Sequence, residues 1–206
     1  IQINTAKFKN RLIIPANHSY DDPDGNMANG PFGYGAHVLI SDDHGKTWRM
    51  SKPIAPGCNE SQVVELEDGS LMMNMRSYND EYCRAIATSR DGGETWSEIR
   101  HDRQLVESKC QASFIYYGKY HDKNLYLFSN PAVARGRTHM TLRASWNNAE
   151  SWELSRLINP GPSGYSCLVK LNKEKAGILY ERGKDRYSEK LVFQKFSLED
   201  YFSFPH

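Results

Sequence analysis

An eight-residue segment that occurs three times constrains this chain more than any other feature. Ser89-Arg90-Asp91-Gly92-Gly93-Glu94-Thr95-Trp96 matches Ser41-Asp42-Asp43-His44-Gly45-Lys46-Thr47-Trp48. An eroded third copy is Ser145-Trp146-Asn147-Asn148-Ala149-Glu150-Ser151-Trp152. The pattern is S-x-D-x-G-x-T-W, and each copy follows a short apolar strand at 37–40, 84–88 or 140–144. The Asp carboxylate can accept backbone N–H groups and pin a tight turn, and the Gly supplies the positive φ that such a turn needs. The Trp is expected to fold back as an apolar plug between neighbouring sheets. The copies begin at residues 41, 89 and 145. A period near fifty with strand patterning and no helices predicts β-propeller blades.

Bulk composition narrows the function classes. The chain has 206 residues, a formal net charge of +1 and 39% hydrophobic residues, which suits a globular domain with a sizeable core. Near-neutral charge argues against a nucleic-acid or membrane-surface protein, and the cluster Arg135-Gly136-Arg137 is too short to change that. No apolar run approaches the roughly 20 residues of a membrane span. The chain opens on Ile1 without a Met or a signal peptide, so it reads as processed or as part of a longer chain. Cys58, Cys83, Cys110 and Cys167 lie far apart with no C-x-x-C pair, which argues against structural zinc. They read as buried free thiols, with one disulfide left open. Asn17-His18-Ser19 and Asn59-Glu60-Ser61 are glycosylation sequons.

In chain order, 11–15 reads as an apolar strand ended by Pro15, and 31–35 as a loop leading into the first octapeptide strand. The linker 53–57 then opens a second blade. Segments 61–66 and 70–75 form a hairpin around Glu67-Asp68-Gly69, a three-residue turn with a left-handed Gly last. That register sets Leu66 opposite Ser70 and Glu60 opposite Arg76, so the two charges share one face at the open end. Segment 84–96 completes this blade. A third blade follows at 113–117, 124–130 and 137–152, and a fourth at 166–171, 177–180 and 190–196. Ser197 is placed as the cap of a short C-terminal helix.

The octapeptide is the Asp-box, the bacterial neuraminidase repeat, and the chain resembles the sialidase family. The box alone also occurs in non-sialidase propellers, where it only fastens a hairpin. More specific segments carry the resemblance. Asn59-Glu60-Ser61-Gln62-Val63 with Asn74-Met75-Arg76-Ser77 looks like the family segment bearing the catalytic Glu and the second arginine of a triad. Phe128-Ser129-Asn130-Pro131-Ala132 with the run from Arg137 to Arg143 looks like the segment bearing the third. That match selects Arg137 over Arg135 and Arg143. Gly164-Tyr165-Ser166 resembles the nucleophile segment, and Ile178-Leu179-Tyr180-Glu181 the strand whose Glu braces the first arginine.

The resemblance implies an all-β, six-bladed sialidase-like propeller. Residues 1–206 would be the C-terminal part of its catalytic domain, supplying roughly four blades. It also implies a retaining exo-α-sialidase acting on sialylated glycans. A carboxylate nucleophile would be repelled by the substrate's own carboxylate, and sialidases are the recognised exception that uses a Tyr. Tyr165 would attack while Glu60 takes its proton. Arg76 and Arg137 would hold the substrate carboxylate, and Glu181 would orient an arginine from elsewhere. No metal or organic cofactor is required, and His37, His44 and His139 read as structural. Taken singly, each of these residues has an ordinary reading as a solvated charge or a packing ring; order and spacing make the case jointly.

Two parts have no match, the first triad arginine and the acid/base aspartate. Arg11-Leu12-Ile13-Ile14-Pro15 looks similar to the arginine segment but stands where a later family strand belongs, so Arg11 is not assigned. The missing blades are expected from a second chain, in a secreted or lysosomal setting. The rival readings are a sialic-acid-binding lectin and a non-enzymatic Asp-box scaffold.

Overall fold

The structure is a computed structural model that describes residues 1–19, 33–79 and 81–202. The expected loop at 31–35 lies partly outside these residues. The chain divides into two compact units, Ile1–Arg103 and Gln104–His206.

In the first unit, β1 (Leu12–Ser19), β2 (Tyr34–Ser41) and β3 (Arg49–Met50) form one antiparallel sheet in that order. Strands β4 (Cys58–Glu65), β5 (Leu71–Ser77), β6 (Cys83–Ser89) and β7 (Arg100–Val106) form a second, also in sequence order. Such meanders are what short hairpin connections produce. Pro15 does not end β1. It sits inside the strand opposite Val38, which is permitted because β1 lies at the end of its sheet and no ladder N–H is lost there. Alternate residues of the two sheets, among them Ile13, Val38, Ile40, Val63, Leu71 and Met73, interlock as one buried core. Each such side chain contributes about 1.5–3 kcal/mol by leaving water.

The second unit is one six-stranded sheet in the order β13-β12-β11-β10-β9-β8. Its strands are β8 (Ser113–Tyr120), β9 (Lys123–Pro131), β10 (Thr138–Ser145), β11 (Leu154–Lys170), β12 (Lys175–Arg182) and β13 (Lys190–Ser197). The 17-residue β11 joins the expected third and fourth blades. Its first half pairs with β10, and beyond Ser163 it pairs with β12. Leu125, Leu127, Leu142, Ile178 and Phe196 form the core of this unit. Helix α1 (Leu198–Tyr201) follows directly, with Ser197 at its cap position but no side-chain cap bond.

The three octapeptides close by one network. In the first, Asp43 Oδ1 accepts from Ser41 Oγ at 2.8 Å and from Thr47 N at 2.9 Å, while Ser41 Oγ accepts from Gly45 N at 2.8 Å. The second repeats these bonds with Ser89, Asp91, Gly93 and Thr95. In the third, Asn147 Oδ1 takes the carboxylate's place, and its amide donates to Ser151 Oγ at 2.8 Å, reversing one bond. Gly45, Gly93 and Ala149 share a left-handed backbone, so the erosion puts a side chain where glycine fits best.

The tryptophans differ from expectation. Trp152 is buried against Phe114 and Phe128, and Trp96 packs on the first core. Trp48, however, is 40% exposed, its indole N–H bonded to the Gly45 carbonyl 3.0 Å away. Arg11, left unassigned from the sequence, is a structural clamp. It is buried, paired to Asp42 at 2.7 Å and Glu94 at 3.0 Å, and bonded to the Gly92 carbonyl at 3.0 Å. All four cysteines are free thiols, and Cys167 is exposed rather than buried.

Candidate active site

Irregular pairing, not regular strand, positions the candidate residues. In the first unit the hairpin has the expected register, with Ser61 opposite Met75 and the Leu66 N–H bonded to the Ser70 carbonyl at 2.8 Å. Gly69 closes the turn at φ 80. The register then shifts between Cys58 and Ser61, so Asn59 and Glu60 form a bulge. Glu60 is thereby turned onto Arg76, whose Nη1 lies 3.0 Å from both carboxylate oxygens. The Arg76 guanidinium stacks on Tyr78 at 4.8 Å, and Tyr78 on Tyr34 at 5.0 Å. Burial pushes the Tyr78 phenol up, only partly offset by Arg76. Asn59 is buried and accepts from Asn17 Nδ2 at 2.7 Å.

The second unit uses the same device twice. The register slips around His139, which has φ 60, just after Arg137, and again between Ser163 and Ser166 at Tyr165. These slips bring together residues far apart in sequence. The Arg137 guanidinium lies 5.5 Å from the Tyr165 ring centre and 4.7 Å from that of Tyr187. Arg137 Nη2 is 3.5 Å from the Lys109 carbonyl, and the Arg137 carbonyl accepts from Ser163 N at 2.8 Å. Glu181 reaches across from β12 and accepts the Tyr165 backbone N–H at 2.8 Å. Gly164 makes that approach possible, because a Cβ there would stand 2.1 Å from Glu181 Oε2.

Residue 166 is fixed as firmly. The Gln111 side-chain amide donates to the Ser166 carbonyl at 3.0 Å and accepts its N–H at 2.9 Å, standing in for a neighbouring strand. Ser166 Oγ is 2.9 Å from Ser129 Oγ. Tyr165 itself keeps 36% of its surface exposed. Of the arginines not selected, Arg143 is buried and bonded to Asn130 at 3.0 Å, and Arg135 is exposed.

Glu60 and Arg76 thus meet within the first unit, and Arg137, Tyr165 and Glu181 within the second. The motifs missed Tyr78, Gln111 and Tyr187, whose only signal is proximity. His37 pairs with His18, Nδ1 to Nδ1 at 2.8 Å, and burial lowers the basicity of both. His44 forms part of a turn, and His139 bonds locally to Thr138. Among the described residues, no group of three or more His, Cys, Asp or Glu converges on a metal position.

Comparison with known proteins agrees with this architecture. Residues 3–180 match the BNR repeat-like domain family. A sialidase of Bacteroides fragilis is 38% identical over 172 residues, spanning 80% of this chain and 31% of that protein. A sialidase of Micromonospora viridifaciens is 36% identical over 151 residues, spanning 70% and 23%. Among solved structures, a Hadza microbial sialidase superposes with a TM-score of 0.79 at 34% identity, covering 94% of this chain and 36% of its own. The leech intramolecular trans-sialidase gives 0.78 at 26% identity, covering 98% and 31%. The chain belongs to the BNR-repeat sialidase family, with the all-β blades of its propellers. It spans about a third or less of the length of these relatives. No helix among the described residues is long and apolar enough to cross a membrane.

Proposed function

We propose that this chain is the C-terminal part of the catalytic propeller of a retaining exo-α-sialidase acting on sialylated glycans. The observation that carries the reading is the meeting of Arg137, Tyr165 and Glu181 in one unit, from three segments chosen for those roles. Tyr165 Oη attacks the anomeric carbon as the bond to the leaving-group oxygen breaks, and Glu60 takes the phenol proton. Water then attacks the anomeric carbon, giving its proton to the group that earlier protonated the leaving group, and the bond to Tyr165 breaks as the phenol recovers its proton from Glu60. Arg137 and Arg76 receive the substrate carboxylate, and Glu60 and substrate compete for Arg76. Glu181 spends one oxygen on Tyr165 N–H, and the other would brace an arginine.

That arginine and the acid that protonates the leaving group are assigned to sequence beyond these residues. The relatives carry the matching region inside one longer polypeptide, so a separate second chain finds no support there. Each unit keeps exposed apolar side chains on a sheet, Ile14 and Met50 in the first and Leu191 and Phe193 in the second, where further sheets would pack. Losing acid assistance alone typically costs about 10²–10⁴ in rate. Residues 1–206 expressed alone should therefore hydrolyse a fluorogenic sialoside poorly, and a soluble, fully active monomer would overturn this part of the reading. In the full-length protein, Tyr165→Phe should abolish turnover, and Arg137→Ala should mainly raise KM. A protein that binds sialosides without turning them over would instead be a lectin. A secreted or lysosomal setting is part of the proposal, tested by fractionation with the same assay.

A further inference from the structure

We propose that Tyr187 is a positioning residue: with Tyr165 it forms an aromatic pair against the Arg137 guanidinium that aims it at the substrate carboxylate. The inference rests on Arg137 being the carboxylate-binding arginine. Arg137 makes no ion pair among the described residues, and its only side-chain hydrogen bond there is a long one to the Lys109 carbonyl. Its charge is therefore left for an external anion, unlike that of Arg76, which is paired to Glu60. A long side chain with one weak anchor samples many rotamers, and something must restrict it. The two tyrosine rings do so, and the Tyr187 ring is the nearer, 4.7 Å against 5.5 Å.

Tyr187 is itself held in place. Its ring lies against Gly164, where an added Cβ would come within 2.8 Å of Tyr187 Cδ2. The loop that carries it, 183–189, is built around the Glu189 carboxylate, which accepts the backbone N–H groups of Lys184, Asp185 and Arg186 at 2.8–2.9 Å. Those bonds also keep the Glu189 carboxyl below its usual range. Gly183 permits the turn, since a Cβ there would collide with the Arg186 carbonyl at 1.7 Å. The ring is thus presented on a pre-formed loop, wedged between the residue before the nucleophile and the binding arginine. The aromatic face attracts the guanidinium, and the hydroxyl is not needed for that.

The test is steady-state kinetics of the full-length protein on a fluorogenic sialoside. Tyr187→Phe should stay within about two-fold of the parent, because the ring face is kept. Tyr187→Leu keeps apolar bulk but loses the ring. It should raise KM about 5- to 30-fold, the range of a partly desolvated cation–π contact, with kcat within about three-fold. In an Arg137→Ala background the Leu substitution should add nothing, since the partner is gone. A merely structural role would lower thermal stability and kcat together and add to Arg137→Ala; that result, or an unchanged KM, overturns the inference. If Arg137→Ala raises KM and Tyr187→Leu does not, the positioning role alone fails. If Arg137→Ala leaves KM unchanged, the assignment of Arg137 fails first and takes this inference with it. Should Tyr187→Leu not fold, Glu189→Ala releases the base of the loop and should show the same KM rise, and an unchanged KM there also overturns the role.

Discussion

Replacing Gly164 with Ala tests whether Glu181 holds the nucleophile segment in place. The new methyl would lie 2.1 Å from Glu181 Oε2, about 1.3 Å inside the 3.4 Å at which ordinary contact begins, and 2.8 Å from the Tyr187 ring. Gly164 is not left-handed, so the perturbation is steric and not a backbone penalty. The carboxylate is the far end of a flexible side chain, so it will swing away and release the Tyr165 N–H. A hydrogen bond to a charged group is worth about 1.5–3 kcal/mol. Because this one is exposed to solvent, its worth falls below that range, to about 1–1.5 kcal/mol. If Tyr165 is the nucleophile, that loss of positioning corresponds to roughly a ten-fold fall in kcat/KM. The assay is sialoside turnover by full-length Gly164→Ala, Glu181→Ala and the double variant, each with a thermal melt. Both changes break the same bond, so the double variant should be no worse than the more impaired single one. A Gly164→Ala enzyme with parental kcat/KM, or losses that add in the double variant, would refute the argument.

Other consequences are more local. Arg11→Ala removes a buried guanidinium that bonds to two octapeptide turns, and should destabilise the protein by about 2–4 kcal/mol in a urea melt; a loss below about 0.5 kcal/mol would show that it is no clamp. Gly93→Ala would place a side chain at φ 92 and 3.3 Å from Ile13, and should cost about 1–2 kcal/mol by the same measurement. Bonds from Thr47 and Ser41 bring the Asp43 carboxyl down to about 2 from 3.8. Its folded-state value is the lower one, so the stability it contributes is complete above the unfolded value and is lost as pH falls toward about 2. Asp43→Asn should flatten the acid limb of a melt series in that window, and an unchanged limb would deny Asp43 this role. Asn59 is buried and bonded to Asn17, so peptide mass mapping of material from a glycosylating host should find it unmodified despite its sequon. A glycan there would also count against Glu60 beside it.

Features set by neighbours in sequence were legible from the residues. The octapeptide turn is a local hydrogen-bond circuit, closed by the Ser that ends the strand and the Asp or Asn two residues later. The hairpin register as far as Ser61 opposite Met75 followed from Gly69, which placed Glu60 and Arg76 at the same open end. The segments bearing Arg137, Tyr165 and Glu181 were picked out by their resemblance to sialidase segments in the same order. Strand extents were less legible. β7 reads as Arg-His-Asp-Arg-Gln-Leu-Val, too polar for an alternating signal, and the first half of β11 contains Pro160-Gly161-Pro162, which normally marks a turn. Both are strands because ladder partners supply the bonds their own sequence does not advertise.

What only the tertiary structure decided is where side chains go once pairing becomes irregular. A one-residue slip reverses the face of every residue beyond it, and no local signal fixes where the slip falls. The slips at Asn59–Glu60, His139 and Gly164–Tyr165 therefore could not be read from the chain, nor could the contact of Glu181 with the Tyr165 backbone. The exposure of Trp48, the clamp made by Arg11 and the place of Tyr187 over Arg137 were likewise invisible in the sequence. The sequence determined which chemical groups are present and the turns that punctuate them. Packing between segments remote along the chain decided which of those groups face one another.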